Sequence, residues 1–357
     1  MRTVFLRRCS FLKAAPVPAT RGDSFRAKLE KIQALRKNGE SDELEVGLRK
    51  GLEDRNTYVV ARAATVAGER NVIALIPDLL ERYERLFDHP PAADPSAQGK
   101  QAIAQALKDL GHADPAVFLR GLHHVQLEPV YGGAVDVAAE LRSTCAHALV
   151  ACDIESFTLL EEFVDGLADP CKSVRAEIVR AIGEMGGDGI LLLRLKALCS
   201  DPEEEVVGEC FVALLHRQRA GAVPFVARFL GSARPAIQLE AVSALAASRE
   251  REALEAVQRF WSTEISTTLR QAILISCGES PLTEAADFLL SIVSDYRIDL
   301  AASALSALGA SRFRNSIHER AQRAASETGN RTIVAAFHDA FGAAQLKRFQ
   351  KPAKPKK

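Results

Sequence analysis

The sequence predicts an all-α solenoid of about nine amphipathic helix pairs forming a curved superhelix. Three observations carry this expectation. Val174, Ile178, Ala181, Ile182 and Met185 fall at i, i+4, i+7, i+8 and i+11, one apolar stripe along one helix. The pattern recurs at about 31–33 residues, the signature of stacked two-helix units. Hydrophobic residues make up 47% of the 357-residue chain and aromatics only 6%, as suits helices packed closely on small side chains. No β-alternation and no Gly-rich phosphate loop after a strand is visible, and the repeats override the length-based expectation of two or three domains.

The pattern opens at Asp169-Pro170, read as an N-cap followed by the first helical residue, and closes at Gly183, Gly186 and Gly187. At Asp201-Pro202 it begins again, with Val206, Cys210, Ala213 and Leu214 in the same slots. Leu141-Arg142, Cys145, Ala148 and Leu149 fill those slots one period earlier, and Leu269-Arg270, Ile273 and Ser276 three periods later. Gly309 stands in the place of Gly183, and Asp54, Val59, Ala63 and Gly68 repeat the offsets near the N-terminus.

Asp-Pro, then Val-Arg, then small–aliphatic–Gly resembles the HEAT-repeat superfamily, and is most similar to the short HEAT-like repeats of the phycobilisome lyase type. The resemblance covers most of residues 42–345 and is strongest at 157–217. Val60, Val207 and Gln238 stand where the pattern has Arg. It implies a repeat fold that mostly serves scaffolding or partner binding, with a minority of enzymes. In such repeats the Arg, here Arg142, Arg175 and Arg270, bonds the Asp or a carbonyl of the adjacent turn. Arg142, Arg175 and Arg270 with Asp169, Pro170 and Asp201 are therefore read as structural.

In order along the chain, residues 1–23 are a basic leader, read as disordered, whose Arg2, Arg7 and Arg8 also suit an organellar presequence. The solenoid spans 24–346, from a charged capping helix at Ser24–Lys37 to a polar final pair at Phe313–Ala325 and Thr332–Phe341. Between lie helices at 41–68, 73–87, 97–110 and 115–122, then regular repeats from Ser156. The His89-Pro90-Pro91 to Pro95 stretch is a loop. Residues 112–136 carry an extended inter-helix loop, with the next helix expected near Ala134. Residues 347–357 are a disordered basic tail.

Formal net charge is zero, but residues 1–22 hold five Lys/Arg and residues 347–357 six, with no acid in either. The body is left with 35 basic against 46 acidic residues, a net of −11. That argues against a phosphate-tracking groove, so nucleic acid is expected at most as a weak contact of the tail. Seven scattered Cys with no C-x-x-C pair indicate a reducing, cytoplasmic setting without a disulfide framework. Cys145, Cys210 and Cys277 fall at core positions. No apolar run is long enough for a membrane span.

The candidate partner-binding loop is His123, His124, Glu128 and Tyr131. Adjacent His residues with a loop carboxylate make no established metal-ligand spacing, so no metal, cofactor or catalytic residue is assigned. Tyr131-Gly132-Gly133 reads as a turn. The HEAT-repeat deoxyhypusine hydroxylases carry several His-Glu pairs for two irons, whereas this chain has only His318-Glu319. HEAT-like alkylpurine glycosylases need a basic, Trp-bearing surface, and the one Trp, Trp261, sits at a packing position. The expected function is a non-enzymatic, monomeric scaffold that binds a protein or peptide on its concave face, lined by second helices. The alternative is a lyase-like or chaperone-like protein holding a small molecule near residues 123–133.

Overall fold

The computed structural model describes residues 21–38, 40–88, 91–263, 265–295 and 297–348. The expected leader over residues 1–20, His89-Pro90 and the tail from residue 349 lie outside this description. Arg21–Asp23 and Lys347–Arg348, placed in leader and tail by sequence, belong to the first and last helices.

Among the described residues, helix α1 (Arg21–Asn38) precedes nine helix pairs. The chain divides into two compact units at Cys152/Asp153. In the first unit the pairs are α2 (Ser41–Leu52) with α3 (Thr57–Glu69), α4 (Ile76–Asp88) with α5 (Gln98–Asp109), and α6 (Pro115–Leu122) with α7 (Ala139–Leu149). In the second they are α8 (Ser156–Gly166) with α9 (Lys172–Met185), α10 (Gly189–Cys199) with α11 (Glu204–Gln218), and α12 (Val223–Ala227) with α13 (Pro235–Ala247). Three more follow: α14 (Arg251–Trp261) with α15 (Thr267–Glu279), α16 (Thr283–Asp295) with α17 (Ile298–Ala310), and α18 (Arg314–Glu327) with α19 (Arg331–Arg348). Second helices stack on one another: α3 on α5 and α5 on α7 in the first unit, and α9 through α19 in sequence in the second. This is the architecture of an α-solenoid, in which each pair buries its apolar stripe against its neighbours.

The predicted stripe of α9 is buried at Val174, Ile178, Ala181 and Ile182, and Cys145, Cys210 and Cys277 are buried as small apolar groups. Burial pushes each of those three thiols up to about 12.

Three local readings are corrected. Pro170 is not the first helical residue, because Asp169 Oδ1 accepts the N–H of Cys171 at 2.7 Å and makes a turn of its own, so α9 starts at Lys172. Asp201 does the same with the N–H of Glu203 at 2.9 Å, and α11 starts at Glu204. Gly183 lies inside α9 rather than ending it. A Cβ there would stand 3.0 Å from Ala213 Cβ, so glycine lets α9 and α11 approach. Gly309 plays the same part, where a Cβ would meet Ala340 O at 2.7 Å. The stop of α9 is Gly186, at φ +72°.

The third correction is β-structure. Residues 127–136 form an antiparallel hairpin, β1 (Leu127–Val130) and β2 (Gly133–Asp136), and α7 begins at Ala139 rather than near Ala134.

Candidate functional site

The hairpin register pairs Leu127 with Asp136, Glu128 with Val135, Pro129 with Ala134 and Val130 with Gly133. Tyr131 and Gly132 form the loop, and Gly132 adopts φ +91° with open space where a Cβ would lie. Asp136 fixes the base. Its Oδ1 accepts the N–H groups of Gln126 at 3.1 Å and Ala138 at 3.0 Å, and its Oδ2 accepts Arg142 Nη1 at 2.6 Å. Partial burial pushes the Asp136 carboxyl up, but these donors outweigh it and hold the group below its ordinary range. Arg142 also donates to His124 O at 3.0 Å, tying α7 to the hairpin's first stem.

Beneath the hairpin lies a buried polar network that sequence reading missed. Lys100, Asp94 and Gln126 are 2%, 1% and 1% exposed. Lys100 Nζ donates to Gln126 Oε1 at 2.8 Å, lies 3.3 Å from Asp94 Oδ2, and sits 5.6 Å from the Phe87 ring centroid. Asp94 accepts the N–H groups of Gly99 at 2.8 Å and Lys100 at 3.1 Å, closing the first turn of α5. Gln126 Nε2 donates to Asp94 O at 2.8 Å and Glu128 Oε1 at 2.9 Å. Glu128 Oε1 also accepts the N–H of Ser96 at 2.7 Å.

That last bond holds strained backbone. Ser96 and Ala97 are successive non-glycine residues at φ +59° and +50°, each costing about 1–3 kcal/mol. The strain persists because Asp94, Gln126 and Glu128 fix the chain on both sides. Lys100 was readable as an anomaly: with Ile103, Ala104 and Leu107 it falls at i, i+3, i+4, i+7 on the buried face of α5.

The four residues of the candidate loop therefore do not converge. Glu128 turns inward and is spent on structure. His124 is half-buried, 4.9 Å from the Phe87 ring centroid, with Nε2 3.4 Å from Gln126 Oε1. Burial lowers its imidazole below the ordinary value, against the pull of that contact. His123 is exposed at the end of α6, and Tyr131 is fully exposed (108%) at the tip. Leu127 in the hairpin and Val125 just before it are 61% and 60% exposed, and Val130 and Val135 are about half exposed.

The other Arg residues face their local turns. Arg175 grips Asp201 with Nε to Oδ2 at 2.9 Å and Nη2 to Oδ1 at 2.7 Å, and its Nη1 donates to Asp169 O at 2.8 Å and Pro170 O at 3.2 Å. Lys196 Nζ lies 2.8 Å from the same Asp201. Burial pushes the Asp201 carboxyl up, but Arg175, Lys196 and the N–H of Glu203 prevail and hold it at about 2. Arg270 donates to Trp261 O at 3.2 Å and Thr263 O at 3.3 Å, over the Trp261 ring at 4.8 Å. Trp261 packs edge-on against Phe288 at 5.7 Å. His318 lies against Phe337 and Phe341, with centroids 5.4 and 5.5 Å away. Among the described residues, no group of three or more His, Cys, Asp or Glu is placed to hold a metal ion, and no helix is long and apolar enough to cross a membrane.

No protein-family model matches the chain, and no curated protein matches it. Solved structures are similar to the chain, among them these two. Human deoxyhypusine hydroxylase, solved with glycerol, is 18% identical over 72% of this chain and 90% of its own, with a TM-score of 0.27. The complex of CpcE and CpcF of phycocyanin lyase from Nostoc sp. PCC7120 is 14% identical over 93% of this chain and 99% of that chain, with a TM-score of 0.31.

Proposed function

We propose that the chain is a non-enzymatic interaction scaffold that binds a protein or peptide along the exposed face of its second helices, with the 127–136 hairpin as an edge contact. The observation that carries this reading is the hairpin itself. Between residues 125 and 135 the only ionisable side chains are Glu128 and Tyr131. Glu128 is hydrogen-bonded to Gln126 and Ser96, so the exposed side chains Val125, Leu127, Val130, Tyr131 and Val135 carry no charge. An apolar projection held over a buried, hydrogen-bonded base suits a contact surface better than a reaction centre, which needs convergent free polar groups. The proposal includes a monomer in a reducing, cytoplasmic setting, with nucleic acid at most a weak contact of the basic tail.

The test is affinity capture from nuclease-treated lysate at physiological salt. The intact chain is compared with a variant whose residues 125–135 are replaced by a short Gly/Ser turn. A defined protein held in stoichiometric amount by the intact chain alone supports the reading. A small molecule or metal copurifying in its place would sink it in favour of a lyase-like or chaperone-like protein.

A further inference from the structure

The two outer edges of the hairpin are not equivalent. Val130 and Gly133 flank the two-residue loop and so exchange the closing backbone hydrogen bonds. Along an antiparallel ladder such pairs alternate with pairs whose N–H and C=O groups point away from the partner strand. Pro129 with Ala134, and Leu127 with Asp136, are those outward pairs. On β1 the outward position at residue 129 is a proline with no N–H, which blunts that edge. On β2 the outward positions are Ala134 and Asp136, both with N–H groups, and Gly133, Ala134 and Val135 are exposed. β2 itself carries no proline or lysine, and its first three residues are exposed, although sheet edges are usually protected by such residues or by a cover.

Resting on the reading of the hairpin as a partner contact, we infer that β2 is a strand-addition site. It accepts an uncharged, extended segment of a partner protein as a third strand, bonded through the outward backbone groups of Ala134 and Asp136. The charge pattern selects the segment. Val130 and Val135 share one face of the hairpin and Leu127 and Ala134 the other, and the only carboxylates, Glu128 and Asp136, are consumed by the base. On the hairpin a charged side chain of the incoming strand meets no unpaired carboxylate and no cation, whereas alternating β-branched or aromatic residues meet apolar neighbours. A second copy of the hairpin is a poor occupant. Four residues of strand span only about 14 Å, too short a ladder to bury the ~800 Å² per partner of a stable dimer.

The probe is a display library of random dodecapeptides panned on the full chain, followed by titration of one selected synthetic peptide. Uncharged, alternating sequences are expected from the intact chain. Ala134→Pro removes one outward N–H while leaving the ladder bonds at Gly133 and Val135, and should weaken the peptide about tenfold, the worth of one lost hydrogen bond with its strand geometry. Circular dichroism checks folding, and Ala134→Lys, which keeps the backbone N–H but guards the edge with charge, serves as the second variant. Undiminished binding to both variants, or selection of charged peptides, overturns the inference. So does dimerisation of the intact chain in the ultracentrifuge that Ala134→Pro abolishes, which would give the edge to a second copy. Retention on phosphatidylcholine vesicles that Tyr131→Ser abolishes and Ala134→Pro does not would give the tip to lipid, and also overturns it. If the Gly/Ser replacement loses the captured partner while Ala134→Pro and Ala134→Lys keep it, strand addition fails alone and the hairpin contact stands.

Discussion

Asp201→Asn should remove a pH-dependent part of the stability of the second unit. In the folded chain Asp201 is buried, gripped by Arg175 at 2.7 and 2.9 Å and by Lys196 at 2.8 Å, and its carboxyl is held at about 2 against an ordinary 3.8. At about 1.4 kcal/mol per unit, that depression is worth about 2 kcal/mol. Because the folded value lies below the unfolded one, the contribution is complete above about pH 4 and is lost as the pH falls toward 2. The asparagine variant keeps the shape of the side chain and lacks this titration. Urea unfolding followed by circular dichroism at pH 7, 5, 3.5 and 2.5 measures it. At pH 7 the variant should be weaker by about 2 kcal/mol, a midpoint shift of about 1 M urea at an m-value of ~2–3 kcal/mol/M. That gap should close as the pH falls. A gap that stays constant from pH 7 to 2.5 would refute the argument, since it would mean the lost stability comes from packing and not from the charge.

Lys100→Met should destabilise the first unit by about 3–5 kcal/mol, because Asp94 would be left buried without its cation; urea unfolding reads this directly. Gly183→Val should cost about 1–3 kcal/mol by forcing α9 from α11, where Ala213 leaves no room for a side chain, seen as a lowered melting temperature. Iodoacetamide at pH 8 should label exposed Cys199 quickly and spare Cys145, Cys210 and Cys277, whose thiols are buried and held near 12. Peptide mass mapping before and after unfolding checks this.

The helical framework was legible because its signal is periodic. Val174, Ile178 and Ile182 each declare the same buried face, and the repeat multiplies that signal. The hairpin was not, because the residues that would announce a strand point outward. Leu127 and Val130 are exposed, Pro129 interrupts β1, and no buried face imposes alternation. What was legible there was the turn, Tyr131-Gly132-Gly133, which is the hairpin tip. The Asp-Pro turns were placed two residues too far into their helices because an Asp that bonds the N–H two residues on looks, in sequence, like an N-cap. The Lys100 network escaped because its partners, Asp94 and Gln126, come from separate loops that only folding brings together.

The Arg175–Asp201 grip also gives neighbouring helices a shared fate. Arg175 stands in α9, Lys196 in α10, and Asp201 in the turn that opens α11. No one of these segments can fray without exposing a charge whose partner stays behind in the others. In a linear array whose members touch only their neighbours, such a rivet carries cooperativity past a single interface. The amide protons of α9 and α11 should therefore exchange with solvent on one common timescale, as a single block.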